Sequence, residues 1–371
     1  MSTRVVLLGP DPSNGSYSTC NYFRSCAAEL GHFARALRID AECPADSATK
    51  QLPKAGRGRV WARNYIEWPM RLRRLEADAF HVVDQGLAWY GKFLSKGARF
   101  VTVHDLINYL TLQGELPFTP LSHRRGWLLR RCVSEIQRAD HVFAISEFTA
   151  SSLMKYLALP AQKVTVTPNY AESSFKPVPD TEKRSVRTRL FGLAEYAIVC
   201  VGSSAEYKNR IGALRVFNSL SKKLGGAHLH IAGGKASPQE VGFIREVSLQ
   251  HCVHYWGQLS VETMAAFYNA ADALIFSSIY EGFGLPPLEA MQCGCPVVTT
   301  TCGSLREVVG EAALTVDDPS AVEVMAQHLQ AILKDDALRT QLRYLGLRQA
   351  ARFTLERSMR GIAEVYERFL A

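Results

Sequence analysis

The chain has 371 residues, of which 47% are hydrophobic and 21% charged, as in soluble globular proteins. This length exceeds that of one ordinary hydrophobic core, so two domains are expected. The apolar runs are shorter than the roughly 20 residues of a membrane-spanning helix, and residues 5–8 are too short for the apolar region of a signal peptide. These features predict a cytoplasmic protein.

The net charge of +8 is unevenly distributed. Residues 1–180 contain 23 lysines and arginines against 16 acidic residues, whereas residues 181–371 contain 20 against 19. The basic first half favours an anionic partner, such as a membrane surface or a pyrophosphate-linked molecule. Nucleic acid is not expected, because no recognised binding module is present. The nine scattered cysteines predict reduced thiols and no metal site.

The first predicted elements are a strand, a loop and a helix. Residues 4–8 form the strand, and a helix is expected from about residue 19 to residue 30, where Gly31 stops it. Gly15 and Ser16 lie near the start of that helix, where backbone N–H groups suit an anion. An ordinary turn is the alternative interpretation.

Two segments of the first half combine tryptophan with arginine. They run from Trp61 to Arg74 and from Arg124 to Arg131. This mixture suits the anionic inner face of a membrane, where the protein would be peripheral. The alternative is a core-packing helix with a solvated basic face. Pro69 is expected to break or kink any helix there, and residues 41–60 are expected to form a mobile surface loop.

A histidine follows one of the next predicted strands. Residues 80–84 and 100–103 are strands, and the second leads directly into His104. A histidine at the carboxyl end of a strand can hydrogen-bond a hydroxyl or a reacting oxygen. The alternative is a histidine whose ring is satisfied by its own loop backbone. Strands at 139–145 and 164–167 complete this half.

The second half begins with a strand at 197–201 and a glycine-led loop. The loop contains Gly202, Lys208 and Arg210. A solvated lysine is one interpretation of Lys208, and the other depends on the resemblance described below. Further along, the pattern predicts one strand and three helices, at residues 227–231, 320–334, 337–352 and 355–369.

The most informative stretch lies between strands predicted at 271–276 and 296–300. A helix from about residue 287 to residue 293 separates them, which is the order of a parallel sheet. Glu281 lies in the loop and Glu289 in the helix, so both carboxylates are expected to face one cleft at the carboxyl end of the sheet. The loop residues at the helix start, which suit phosphate or sugar oxygens, are Gly282, Phe283, Gly284 and Leu285.

The stretch EGFGLPPLEAMQCGCPVV, followed after four residues by GSLREV, resembles the Glu-x7-Glu signature of retaining glycosyltransferases of family 4. The resemblance is strong over residues 195–316 and moderate over 100–170. It implies an α/β chain of GT-B architecture, with two Rossmann-like domains facing each other across a cleft. The acceptor-binding domain is expected at 1–175 and the donor-binding domain at 190–352, with a terminal helix at about 355–371 packed back on the first.

The resemblance also implies roles for individual residues. Glu281 would hold hydroxyls of the donor sugar, Glu289 would accept hydrogen bonds from the ribose, and His104 would meet the donor sugar. Lys208, with Arg210 as a second cation, would stabilise the departing diphosphate. The implied catalytic residues are Glu281, His104 and Lys208, and the implied donor-binding residues are Gly15, Ser16, Gly202, Lys208, Arg210, Glu281, Gly282, Phe283, Gly284, Leu285 and Glu289.

The implied reaction moves a sugar from a nucleotide diphosphate sugar to a hydroxyl of a saccharide or lipid-linked saccharide, with retention at the anomeric carbon, as in cell-surface polysaccharide synthesis. No cofactor and no bound metal are implied. Tyr207 and Ser203 stand where relatives often carry arginine, so one positive charge is missing or moved. Two alternatives stay open: a decayed GT-B protein that binds a nucleotide sugar or glycan without turnover, and a nucleotide-sugar epimerase.

Overall fold

The computed structural model describes residues 3–11, 17–44, 57–192 and 194–370. The chain divides into two compact units. Unit 1 comprises residues 1–168 together with 356–371, and unit 2 comprises residues 169–355. Each unit contains a six-stranded sheet in which all neighbouring strands are parallel. Helices connect the strands, so each unit is an α/β domain.

Unit 1 is built on six strands, β1 (Thr3–Leu8), β2 (Leu37–Glu42), β3 (Ala79–Val82), β4 (Ala98–Val103), β5 (His141–Ala144) and β6 (Val164–Val166). Its helices are α1 (Tyr17–Phe33), α2 (Arg57–Ala62), α3 (Trp68–Leu72), α4 (Ile107–Leu112), α5 (His123–Arg138), α6 (Glu147–Leu157) and, from the end of the chain, α15 (Leu355–Leu370). Two 3₁₀ segments lie at Gln85–Phe93 and Ala161–Lys163. The strand order is β2-β1-β3-β4-β5-β6.

Helix α15 belongs to the core of unit 1 although it ends the chain. The Tyr366 side chain is fully buried, and its hydroxyl lies 2.5 Å from Nδ1 of His81. The Tyr366 and Phe369 rings pack against Phe100, with centroids 5.1 and 5.5 Å away. Burial lowers the pKa of His81 to about 3, so its imidazole is neutral in this network.

Two expectations about unit 1 are wrong in detail. The first helix does not stop at Gly31 but continues to Phe33. Gly31 faces solvent, so it lowers the stability of the helix only through its poor helix propensity, which is not enough to end the helix. The loop predicted at 41–60 is shorter, since β2 extends to Glu42 and α2 begins at Arg57. The remainder of that loop, at 45–56, lies outside the described residues.

Pro69 disturbs the helix without ending it. A π-helical turn at Arg63–Glu67 precedes α3, and Pro69 occupies the first turn of α3. The N–H of Trp68, just before the proline, donates to the carbonyl of Arg63 five residues earlier, as in a π-helix. Pro69 itself has no N–H group to donate. The wide turn therefore lets the chain remain helical from α2 to α3.

Unit 2 is built on β7 (Tyr196–Val201), β8 (Ala227–Ala232), β9 (Val253–Gly257), β10 (Ala273–Phe276), β11 (Val297–Thr300) and β12 (Leu314–Val316). Its helices are α7 (Asp180–Phe191), α8 (Arg210–Lys223), α9 (Pro238–Glu246), α10 (Val261–Ala270), α11 (Leu285–Gln292), α12 (Leu305–Val309), α13 (Val322–Lys334) and α14 (Asp336–Ala350), with a 3₁₀ turn at Glu206–Lys208. The strand order is β12-β11-β10-β7-β8-β9.

This order places a topological switch point in the middle of the unit 2 sheet. From β7 the chain proceeds outward to β8 and β9, then returns to β10 and proceeds outward on the other side. Strands β7 and β10 are neighbours, and the loops that leave their carboxyl ends run in opposite directions. Open α/β sheets bind ligands in the crevice that such a divergence creates.

Within the described ranges, none of the helices combines the length and apolarity needed to cross a bilayer. The nine cysteines all lie within the described residues, and none of them forms a disulfide.

Candidate functional site

The switch point of unit 2 brings together two residues that are far apart in the sequence. Lys208 follows β7 and Glu281 follows β10. The Lys208 Nζ donates hydrogen bonds to Oε1 of Glu281 at 2.7 Å and to Oε2 at 3.0 Å. The two side chains are only 16% and 8% exposed, so this is a largely buried ion pair. Each charge depends on the other, because an unpaired charge at such a place is costly.

The loop that carries Lys208 is fixed by Asn209. This residue adopts a left-handed conformation with φ of +48°, which asparagine tolerates better than most residues. Its Oδ1 accepts from the N–H of Gly212 at 3.1 Å and so caps α8. Its Nδ2 donates to the carbonyl of Ser277 at 3.0 Å, and the Ser277 hydroxyl donates back to the Asn209 carbonyl at 2.8 Å. Asn209 therefore joins the loops after β7 and β10.

The loop that carries Glu281 is held by Gly303 and Ser304, which follow β11. The Ser304 hydroxyl donates to the carbonyl of Phe283 at 2.7 Å and to that of Glu281 at 3.1 Å. Gly303 has φ of +64°, and a Cβ there would lie 2.3 Å from the Glu281 carbonyl oxygen. Any larger residue would displace the Glu281 backbone. Sequence reasoning assigned no role to either residue, although both belong to the matched stretch.

Helix α11 begins at the site but offers fewer backbone donors than most helix starts. Gly284 precedes it in a left-handed conformation with φ of +107°. Pro286 and Pro287 occupy its first turn and have no N–H group. The backbone donors that this loop can present to an anion are therefore those of Phe283, Gly284 and Leu285.

Glu289 lies on α11 and accepts a hydrogen bond from the hydroxyl of Tyr268 at 2.9 Å. Burial raises the pKa of Glu289 to about 7, so the carboxyl keeps its proton well above the pH at which an ordinary glutamate loses it. Sequence reasoning missed Tyr268, because nothing in the sequence around α10 indicates that its hydroxyl reaches α11.

Arg210, predicted as a second cation for a diphosphate, is paired with a carboxylate in this structure. It is buried, and its Nε lies 2.7 Å from Oε1 of Glu240 while its Nη2 donates to Oε2 at 3.0 Å. Its Nη groups also donate to the carbonyls of Gly202 at 3.3 Å and Lys235 at 3.2 Å. Glu240 neutralises the guanidinium, which braces the loops after β7 and β8.

His104 follows β4 in unit 1 and is buried. Its Nε2 lies 2.9 Å from the carbonyl oxygen of Val83, which can only accept, so Nε2 carries a proton. Its backbone N–H donates to the side chain of Gln85 at 2.9 Å. The ring is thus fixed by the neighbouring strand end rather than by its own loop. Gly15 and Ser16, predicted near the donor, lie outside the described residues.

The two tryptophan and arginine segments are divided between core and surface. Trp68 is buried, and the Arg71 guanidinium stacks on its ring at 5.5 Å. Trp61 is 47% exposed and Trp127 is 54% exposed. Other exposed apolar side chains of the first segment are Tyr65, Ile66 and Met70. Around Trp127, the exposed basic residues of α5 are Arg124, Arg125, Arg130 and Arg131.

Across the described residues, no group of three or more histidine, cysteine, aspartate or glutamate side chains is arranged to hold a metal ion.

Two family sequence models match the chain. "Glycosyltransferase Family 4" matches residues 27–173, and "Glycosyl transferases group 1" matches residues 185–349. The O-antigen chain mannosyltransferase B of Escherichia coli is 28% identical over 275 residues, which cover 72% of this chain and 72% of that protein.

Solved structures show the same fold at low identity. A sucrose-phosphate synthase from Thermosynechococcus elongatus superimposes with a TM-score of 0.75 at 20% identity, over 99% of both chains. Anabaena HepE in complex with UDP-glucose superimposes with a TM-score of 0.77 at 16% identity, over 98% of this chain and 99% of that one.

Together, the two α/β units, the family matches and the structural neighbours define a glycosyltransferase enzyme of the GT-B fold. The chain belongs to glycosyltransferase family 4. The relatives named here are transferases or synthases, in agreement with the transferase expectation and not with the epimerase alternative.

The ion pair predicts a distinctive pattern of stability. Lys208→Met and Glu281→Gln should each lower the unfolding free energy of unit 2, by up to about 3–5 kcal/mol for the lysine change, which leaves a buried carboxylate unpaired. The double variant Lys208→Met/Glu281→Gln should be more stable than Lys208→Met. It should regain most of the unfolding free energy that the single change loses, because neither charge remains. Urea denaturation measures these differences, with exposed Lys222→Met and Glu246→Gln as matched controls. Purely additive losses in the double variant would contradict this coupling.

The raised pKa of Glu289 predicts that Glu289→Gln stabilises the folded protein by an amount that depends on pH. The folded protein holds this proton up to a pKa of about 7, whereas the unfolded chain releases it near the ordinary value of 4.5. Between pH 4.5 and about 7 the folded protein keeps a proton that the unfolded chain releases, so the free energy of unfolding falls as the pH rises, and the loss is complete above about 7. The melting temperature of the Gln variant should exceed that of the native protein at pH 8 and match it at pH 4.5. A difference that does not change with pH would refute the assignment.

Proposed function

We propose that this enzyme transfers a sugar from a nucleotide diphosphate sugar to a hydroxyl of a saccharide or lipid-linked saccharide, with retention of the anomeric configuration. The observation that carries the proposal is the buried Lys208–Glu281 ion pair at the switch point of unit 2, within a family 4 chain. Relatives support the substrate class: one is named for mannosyl transfer to the O-antigen chain, and one structural neighbour holds UDP-glucose.

In this proposal the donor separates the ion pair. The diphosphate replaces Glu281 as the partner of Lys208, since an ammonium stabilises negative charge on a leaving group. The backbone N–H groups of Phe283, Gly284 and Leu285 add donors to the same oxygens. The released Glu281 carboxylate accepts hydrogen bonds from the sugar hydroxyls and stabilises positive charge on the ring. Each residue thus loses the other as its partner and gains a part of the ligand: Lys208 gains the diphosphate, and Glu281 gains the sugar hydroxyls.

The transfer step breaks the bond from the anomeric carbon to the diphosphate oxygen and forms a bond to the acceptor oxygen on the same face. The acceptor proton passes to the leaving diphosphate, so no carboxylate nucleophile is needed. Glu289, with its raised pKa, is proposed to bond the ribose hydroxyls. For His104 we propose contact with the reacting sugar through Nδ1, because Nε2 is bonded to Val83. The reaction is proposed to need no metal ion.

The test is transfer activity with a panel of UDP-, GDP- and ADP-linked mannose and glucose, on acceptors that carry mannose or glucose. Lys208→Met and Glu281→Gln should each lower the rate at least about 10²-fold. The double variant should stay inactive although its stability recovers. Lys222→Met and Glu246→Gln should keep the native rate, and EDTA should not change it.

Proton NMR of the product reports the anomeric configuration, which should equal that of the donor. An inverted product would refute retention. Native rates in folded Lys208→Met and Glu281→Gln would refute the site, and loss of activity in EDTA would refute metal independence.

We also propose that unit 1 binds an anionic membrane surface through Trp61, Trp127 and the arginines of α5. Exposed tryptophans partition to the interface, while arginines attract acidic headgroups. A peripheral position would bring the enzyme to a lipid-linked acceptor.

Co-sedimentation with vesicles tests the membrane surface. The native chain should bind vesicles that contain phosphatidylglycerol and not those of phosphatidylcholine alone. The variant Trp61→Ala/Trp127→Ala should bind at least about tenfold more weakly, because two interfacial anchors are lost. Tyr344→Ala is the matched control, since Tyr344 is an aromatic residue of unit 2 that is 59% exposed. Equal binding by both variants would refute this surface.

A further inference from the structure

A second pocket of unit 2 lies away from the Lys208–Glu281 pair. It has a volume of about 350 Å³, and its walls include Phe191, His228, His230, His254 and Trp256. His228 and His230 lie on β8, and His254 and Trp256 on β9. These side chains belong to the strands themselves, whereas Lys208 and Glu281 lie in loops beyond the carboxyl ends of β7 and β10. A ligand of this pocket would therefore not occupy the place of the donor.

The histidines of this pocket form a stack of rings. The His254 ring lies 5.2 Å from that of His228 at 8°, and 4.9 Å from that of His230 at 21°. The Phe191 ring covers the other side of His230 at 4.2 Å. Nδ1 of His228 and Nε2 of His254 are 2.9 Å apart, so one ring donates to the other. The stack fixes the orientation of the rings, and this hydrogen bond involves only one nitrogen of His228 and one of His254.

The tautomer of His230 follows from its partner. The indole Nε1 of Trp256 lies 3.2 Å from Nδ1 of His230, and an indole nitrogen can only donate. Nδ1 therefore accepts, and Nε2 carries the proton. His230 is only 3% exposed, and its Nε2 has no hydrogen-bond partner among the described residues. This Nε2 is also closed to solvent. A buried N–H without an acceptor is costly, so a small movement of the ring that brings Nε2–H to an acceptor oxygen in the pocket would be favourable.

The same geometry argues against a metal ion and against an anion. A metal at His230 needs an unprotonated nitrogen, and the only one is already bonded to Trp256. Burial and the neighbouring histidines keep His230 neutral by lowering its pKa to about 3. The positive charge of Arg187 also lowers the pKa of His230. The Arg187 guanidinium is itself paired with Asp272 at 2.9 Å and donates hydrogen bonds to three backbone carbonyls. His230 and Arg187 thus bring no uncompensated positive charge to the pocket.

We propose that this pocket is a second saccharide-binding site, in which a sugar hydroxyl accepts from Nε2–H of His230 and the apolar face of the sugar ring packs on Phe191 and Trp256. A sugar ring is uncharged, carries hydroxyls on its edge and has C–H groups on its face. It therefore offers both an acceptor for the N–H of His230 and an apolar surface for the aromatic walls. The volume is within the range of small-molecule sites and accommodates one sugar residue. Such a site would hold a saccharide at a distance from the reacting groups, and it does not require the proposed transfer activity.

The experiment follows the indole N–H signals of the five tryptophans in ¹H–¹⁵N spectra of the full chain. Trp256→Phe removes one signal and so assigns it. Titration with methyl α-mannoside, methyl α-glucoside and methyl β-galactoside should shift the Trp256 signal at millimolar concentrations for at least one sugar. His230→Phe keeps a stacked ring but removes the donor, and it should weaken the effect at least about tenfold.

The controls separate this site from the donor site. Lys208→Met should weaken nucleotide binding at least about tenfold and leave the sugar-induced shift of Trp256 unchanged. A Trp256 signal that no sugar moves would overturn the proposal, as would an equal shift in folded His230→Phe. A response to Zn²⁺ or inorganic phosphate without a response to sugars would also overturn it.

Discussion

The ion pair between Lys208 and Glu281 is the interaction on which the rest of unit 2 depends. Opposite charges are buried together at the point where the strand order reverses, and each would be costly alone. Asn209 and Ser304 hold the two loops so that the charges meet. The loops are thereby fixed before a substrate arrives, which reduces the ordering that binding must achieve. A ligand that carries both a diphosphate and hydroxyls can replace both partners at once.

The surroundings of the pair limit how negative charge can be stabilised there. Arg210 is neutralised by Glu240, and Pro286 and Pro287 remove two backbone donors from the start of α11. In the proposed function, Lys208 therefore supplies much of the attraction for the diphosphate. The raised pKa of Glu289 acts in the same direction, because a protonated carboxyl does not repel phosphates. The site relies on one well-placed ammonium rather than on a cluster of cations.

The sequence predicted the α/β class and the parallel strands, because these depend on local patterns, and the structure confirms them. It also singled out Lys208 and Glu281 as candidate site residues through a long motif, and their role stays a prediction. It did not predict their ion pair, since strands β7 and β10 become neighbours only through the sheet order. It did not predict the pairing of Arg210 with Glu240 for the same reason, as Glu240 lies on a different helix. The histidine stack also depends on register: His230 lies opposite His254 in the pairing of β8 with β9.

The most direct test of the exchange of partners is calorimetric titration of Lys208→Met, Glu281→Gln and the native chain with UDP, GDP and ADP. One nucleotide should bind the native chain. Lys208→Met should bind that nucleotide at least about tenfold more weakly, because the diphosphate loses its cation. Glu281→Gln should bind it at least as tightly as the native chain, because the competing carboxylate is gone. Equal losses in both variants would contradict the exchange, as would unchanged binding by Lys208→Met.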